Sequence, residues 1–134
     1  MKLSVQLNIV HQDTAVVAVA GELDLTTIAL LDAVLLPLPG QGVRHLIIAA
    51  DRLRFCDPCG LRALTSVHTI MAATGGTLVI AEPGPVLRRL LAPVRPQATD
   101  PSATPIRTYP TLAQALRGEI GLRPSSPVGT GLSL

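Results

Sequence analysis

The stretch Phe55-Cys56-Asp57-Pro58-Cys59-Gly60-Leu61 constrains this chain's architecture more than any other. Ahead of it runs Leu46-Ile47-Ile48-Ala49-Ala50, an unbroken apolar run short enough for a buried strand. Behind it, Leu61 to Thr74 has helical spacing and no proline. The stretch is therefore a strand-to-helix junction. Asp57 is a favoured helix N-cap, and Pro58 suits the first helical position, where its missing N–H would have lacked a partner in any case. Cys59 then falls in the first turn, among unpaired backbone N–H groups at the positive end of the helix dipole, where an anion is favoured.

The alternation of strand and helix continues on both sides. Leu3, Val5, Leu7 and Ile9 alternate with Lys2, Ser4, Gln6 and Asn8, the period of a strand with one wet face, which belongs at a sheet edge. After a turn over 10–14, Val16-Val17-Ala18-Val19-Ala20 reads as a more central strand covered on both faces, ended by Gly21-Glu22-Leu23-Asp24. Residues 26–36 are expected to be helical and are stopped by Pro37, Pro39 and Gly40. Apolar residues cover more than one side of this helix: Ile28, Leu31 and Leu35 form one stripe, Leu30, Val34 and Leu38 another, and Asp32 is its only charge. Burial between layers accounts for that simply, and a partner-docking surface on part of the helix is the sharper alternative.

A third strand, Val43 to Ala50, leads through Asp51-Arg52-Leu53-Arg54 to the junction. In the next helix Leu61, Leu64, His68 and Met71 share a stripe, Ala63, Val67 and Ile70 lie beside it, and Arg62, Ser66 and Thr69 point away. Gly75-Gly76 ends it. Thr77 to Ala81 is another buried strand, and Pro83-Gly84-Pro85 opens a short helix with Leu87, Leu90 and Leu91 inside and Arg88 and Arg89 outside. Beyond an irregular proline-rich loop, Pro93 to Pro105, come a short strand around Ile106 to Thr108 and a last helix. Thr111 and Gln114 have capping-box spacing there, Leu112, Ala115 and Leu116 face inward, and Gly118 is expected to end the element. Residues 1–118 thus form one domain, and the Pro/Ser/Gly-rich residues 119–134 are expected to be a disordered tail.

Composition narrows the function. With 134 residues, 48% of them apolar, the chain can bury a single core. A net charge of +2 is too small to suggest a nucleic-acid partner, and Phe55 and Tyr109, the only Phe and Tyr, offer no platform for stacking bases. No apolar run approaches the roughly 20 residues of a membrane span, and Met1-Lys2-Leu3-Ser4 does not open a signal peptide. The expectation is a cytoplasmic protein without nucleic-acid or membrane partners. Its oligomeric state is left open.

The order strand, strand, Gly21-Glu22-Leu23-Asp24, helix, strand, Phe55-x-Asp57-x-x-Gly60-Leu61, helix resembles a STAS domain of the bacterial anti-sigma factor antagonist family. The resemblance covers about residues 3 to 118, and Gly75-Gly76 and Tyr109-Pro110-Thr111 agree with it. It implies an α/β fold, a small mixed sheet of four to five strands with about four helices packed against it. It also implies a non-enzymatic switch that binds an anti-sigma factor with a kinase-like ATPase fold and so frees the sigma factor. The serine that such proteins phosphorylate maps onto Cys59, the motif's aspartate onto Asp57, and the acidic residue of the other loop onto Asp24. Asp57, Pro58, Cys59, Gly60, Leu61 and Arg62 would meet the partner. A phosphate there adds about −1.5 to −2 charge beside two carboxylates, and docking is lost by repulsion. Here Pro58 and Cys59 replace the usual two serines, and a thiol is not a normal substrate for a serine kinase. The expected molecule is a divergent member held in its binding-competent state. A STAS interaction module of another signalling complex is an alternative.

Cys56 and Cys59 also make a Cys-x-x-Cys pair, which invites a thiol redox switch. The helix dipole, Arg52, Arg54 and Arg62 favour a thiolate, whereas Asp57 and Asp24 oppose it. A thioredoxin-like enzyme would need its own fold, and two small apolar fillers are the simpler reading. Asp24 and Asp57 have plain roles as turn and cap residues that compete with any acid/base pairing. No metal site is expected, because His11, His45 and His68 are scattered over separate elements. No cofactor is expected either, since the glycines lack phosphate-loop spacing. Thr65 and Ser66 are expected to be buried and so unsuited to modification.

Overall fold

The computed structural model describes residues 3–91 and 106–121. Among them five strands form one sheet in the order β1-β2-β3-β4-β5: Leu3–His11, Thr14–Leu23, His45–Cys56, Thr77–Ala81 and Arg107–Tyr109. β1 and β2 pair antiparallel across a tight turn; every later pairing is parallel. Parallel neighbours need a crossover, and helices α1 (Ile28–Leu35), α2 (Pro58–Ala73) and α3 (Pro85–Leu91) lie in these connections. A fourth helix, α4 (Leu112–Leu116), follows β5. The mixed α/β architecture expected from the sequence is the one observed.

The period-two rule divides the core by sheet face. Val17, Val19, Leu46, Ile48, Leu78 and Ile80 point to one side and pack under α1, α2 and α3, chiefly on Leu31, Leu35, Leu64, Val67, Met71 and Leu87. Val16, Ile47, Ala49, Val79 and Ala81 point to the other, where α4 covers them with Ala115. That second face is covered only in part: Ser4, Gln6 and Asn8 of β1 are exposed on it, and Ala18 and Ala20 of β2 are half-buried.

Several expectations change. β3 does not stop at Ala50 but runs through Asp51–Phe55 to Cys56, because β2 also continues and pairs Glu22 with Phe55 and Leu23 with Cys56. Gly21, with φ 105°, sits at a register shift that bends β2 and lets this pairing resume. α1 begins at Ile28 rather than Thr26, since a turn around Asp24 precedes it. The stripe Ile28, Leu31 and Leu35 packs on the core, whereas the second is split, with Leu38 buried and Leu30 46% exposed; Leu36, in neither stripe, is 49% exposed. On β1 the core-facing side is buried only at its start, and Leu7 and Ile9 are exposed. Thr65 and Ser66 are exposed, on the solvent side of α2.

The last helix is not ended by Gly118. Residues Arg117–Gly121 continue it as a wider π turn, so the expected domain edge at 118 falls inside a helical turn. A Cβ at 118 would collide with the Tyr109 ring, so glycine there gives Tyr109 room. The Tyr109 hydroxyl donates to Glu119 Oε2 at 3.0 Å, Arg107 reaches the same oxygen at 3.2 Å, and Thr77 Oγ1 donates to Oε1 at 2.7 Å. His45 Nδ1 lies 3.0 Å from Thr77 Oγ1 and 3.5 Å from Glu119 Oε1. Glu119 is thus a buried carboxylate tied to β3, β4 and β5, as burial of a charge requires. The expected proline-rich loop 93–105 and the tail beyond 121 lie outside the described residues.

Candidate functional site

The junction forms as its residues dictate. Asp57 is extended (φ −96°, ψ 174°), and its carboxylate accepts the Gly60 N–H at 2.8 Å, satisfying one of the free donors of the first turn of α2. Pro58 occupies the first helical position. The Asp57 N–H donates to the Leu23 carbonyl at 3.2 Å, so the cap residue itself extends the β2–β3 ladder by one bond. Gly60 is buried for a steric reason. A Cβ there would stand 2.7 Å from both Leu23 Cγ and Leu23 O, and 3.2 Å from Cys56 Sγ. The start of α2 is thereby pressed against the end of β2, which brings the two sequence motifs into contact.

Asp24 follows directly. Its Oδ1 accepts the Thr26 hydroxyl at 2.6 Å and the Thr26 N–H at 2.9 Å, an Asx-type turn. Its carbonyl receives the Thr27 and Ile28 N–H groups at 3.0 and 3.1 Å, and the Thr27 hydroxyl donates to Glu22 O at 2.8 Å. The Thr26 hydroxyl bond, reinforced by backbone donors and opposed by partial burial, holds the Asp24 carboxyl below its usual pKa. Asp24 therefore stays ionised in this turn at neutral pH.

The two thiols differ. Cys56 is buried at the strand end, and its Sγ donates to Asp57 O at 3.5 Å. Burial first, and the Asp57 charge second, push this thiol up to about 11, which keeps it neutral and unreactive near pH 7. Cys59 is exposed, as are Pro58 and Arg62, whereas Leu61 is half-buried against the core. The expected contact set is thus split: Pro58, Cys59 and Arg62 face outward, Asp57 caps, and Gly60 and Leu61 hold the turn in place. Both thiols are free.

Two residues near this surface escaped the sequence reading. Leu25, at the tip of the Asp24 turn, is 73% exposed, and Phe55, paired with Glu22 beside the junction, is 44% exposed. Leu25 stands one residue past Asp24 and Phe55 two before Asp57, so each adds a large exposed apolar side chain next to one of the two carboxylates, while Leu30 is exposed separately on α1. The sequence signal for Phe55 was its place between Arg54 and Cys56, opposite in phase to a buried position. Leu25 had no such signal, since it stands in a turn. An open cleft of about 890 Å³ lies beside the site, lined in part by Glu22, Asp51, Arg52 and Arg54.

The sequence model of the family described as Mlab, STAS domain, matches residues 9–95, a span that contains both loops and all of α2. The chain belongs to the STAS domain family. Solved structures agree on its fold. This STAS domain superposes on the anti-sigma factor antagonist SpoIIAA in its unphosphorylated form with a TM-score of 0.71 and 22% identity, covering 90% of this chain and 99% of that one. An anti-sigma factor antagonist from Mycobacterium paratuberculosis gives 0.70 and 23%, covering 88% and 94%. The Bacillus cell fate determinant SpoIIAA in its phosphorylated form gives 0.59 and 25%, covering 66% and 80%. The fold is thus that of the anti-sigma factor antagonists. Among the described residues of this STAS domain, no helix is long and apolar enough to cross a membrane.

Proposed function

We propose that this STAS domain is a non-enzymatic regulator of the anti-sigma factor antagonist type, acting in the cytoplasm. It docks on an anti-sigma factor with a kinase-like ATPase fold through the first turn of α2, the Asp24 turn and the exposed apolar side chains Leu25 and Phe55. Cys59 is the centre of that contact, flanked by Asp24 and Asp57, and the usual serine phospho-switch is absent. The observation that carries this reading is the exposure of Cys59 on a capped first turn pressed against Leu23. A residue in that position is presented to a visitor by both motifs at once.

The test is a binding titration against an anti-sigma factor ATPase domain from the same cell. Cys59→Asp, which adds one negative charge among the carboxylates, weakens binding about tenfold or more, the scale of a 1.4 kcal/mol loss. Cys59→Ser retains binding and becomes a substrate for the partner's kinase activity, whereas the native chain does not. Equal affinity for the native and Cys59→Asp chains removes the reading.

The thiol redox alternative draws no support from Cys56, whose buried, neutral thiol is a poor nucleophile.

A further inference from the structure

The two edges of the sheet are built differently. β5 is three residues long and carries Arg107, and short, charged edges resist pairing with other chains. β1 is nine residues long, and from Leu3 to Val10 it has no charge and no proline. Its register shift lies at Ile9/His11, at the far end, so residues 3–9 are regular strand. Among the described residues no strand pairs with its outer edge. Three of its large apolar side chains are also exposed: Leu7 41%, Ile9 58% and Val10 43%.

We infer that β1 pairs with β1 of a second copy of this chain, antiparallel about a two-fold axis at Gln6. The sequence Leu3-Ser4-Val5-Gln6-Leu7-Asn8-Ile9 reads apolar-polar in both directions from Gln6. In that register Leu3 faces Ile9 of the second copy and Val5 faces Leu7, all on the face that α1, α2 and α3 cover. The exposed Leu7 and Ile9 thus come to lie on the continuation of an existing core. On the opposite face Ser4 meets Asn8 and Gln6 meets Gln6, pairs that exchange hydrogen bonds without any like-charge contact. A second copy supplies an edge of the same length and polarity, and in this register no charge of either copy opposes the pairing.

The pairing closes on itself, because each copy has one such edge and β5 does not resemble it; the product is a dimer with a ten-stranded sheet rather than a fibre. Seven paired residues extend about 23 Å. That is a small interface beside the standard size, so the dimer is weak and concentration-dependent. The start of β1, where Leu3 pairs with Gly21, lies near the end of β2, so the second copy sits beside the open cleft that Leu3, Ser4 and Glu22 line.

Sedimentation velocity of the full chain over a wide concentration range tests this. The native chain moves from monomer to dimer as concentration rises. Gln6→Lys and Gln6→Glu, both at an exposed position, each raise the dissociation constant about tenfold or more while circular dichroism stays unchanged, because each places like charges across the axis. An equimolar mixture of the two variants dimerises again. A native chain that stays monomeric through high micromolar concentration overturns the inference, and so does a dimer that survives both substitutions or a mixture that fails to recover.

Discussion

Gly60 and Leu23 touch so closely that no side chain fits between them: a Cβ on Gly60 would sit 2.7 Å from both Leu23 Cγ and its carbonyl oxygen. The contact makes the end of β2 and the start of α2 one unit. Gly60→Ala must push against backbone, which cannot swing aside as a side-chain tip can. The expected outcome is a loss of about 1–3 kcal/mol in stability, typical of overpacking, measured by urea denaturation. A matched Ala73→Gly control, in the last turn of the same helix, separates this from ordinary helix propensity, which would favour alanine at 60.

Asp57 serves as cap and as charge, and the two roles separate by substitution. Asp57→Ala leaves the Gly60 N–H without its acceptor and costs about 0.5–2 kcal/mol of stability. Asp57→Asn keeps the acceptor and most of that stability. Affinity for an anti-sigma factor that follows the Asn variant's lost charge, rather than its retained fold, assigns the carboxylate to recognition; thermal melts and binding titrations on the same samples read both.

The Asp24 turn has a pH dependence of known sign. Its folded pKa lies below the usual value of 3.8, first because of the Thr26 hydroxyl. The turn's stabilisation is therefore complete above the unfolded pKa and is lost as pH falls through the folded one. Thr26→Ala shifts the Asp24 carboxyl titration upward toward its ordinary value, and carbon-13 NMR of the carboxyl group follows it directly.

Thiol alkylation distinguishes the two cysteines. At pH 8 iodoacetamide modifies Cys59 in the native protein, while Cys56 reacts only after denaturant exposes it, since it is buried and its thiol is held up to about 11. Peptide mass spectrometry reads the order. Equal labelling of both thiols in the native state contradicts the described geometry.

The chain's last described turn is part of the fold. Glu119→Ala removes the common acceptor of Thr77, Arg107 and Tyr109 and leaves two half-buried hydroxyls short of a partner, at a cost of about 1–3 kcal/mol. A chain ending at Gly118 shows a similar loss, and one ending at Gly121 does not; denaturant melts compare the three.

What could be read from the residues was whatever is local or periodic. The strand runs, the Asp57 cap, the Thr111 cap and most of the face of α2 carry their signals within a few positions, and the structure places them as expected; Ile70, read as part of that face, is instead 41% exposed. The misplaced features depend on distant partners. Nothing near Glu119 announces that Thr77 and Arg107 await it, so a charged residue after glycine in a proline-rich stretch read as tail. The strand through Asp51–Phe55 likewise looked too polar to pair, because its ladder is supplied by β2 beyond the bend at Gly21. The candidate site was legible in its motifs, but Leu25 and Phe55 became visible only through exposure.

The abutment of α2 on β2 also sets what kind of message residue 59 can carry. With glycine wedged against a strand carbonyl and the cap bonded on both sides, the neighbourhood has no slack to hinge or unwind when an adduct arrives. Any covalent change at that thiol would be broadcast as altered charge on an unaltered outline, so a partner would sense it by attraction or rejection, without the delay of a rearranging loop.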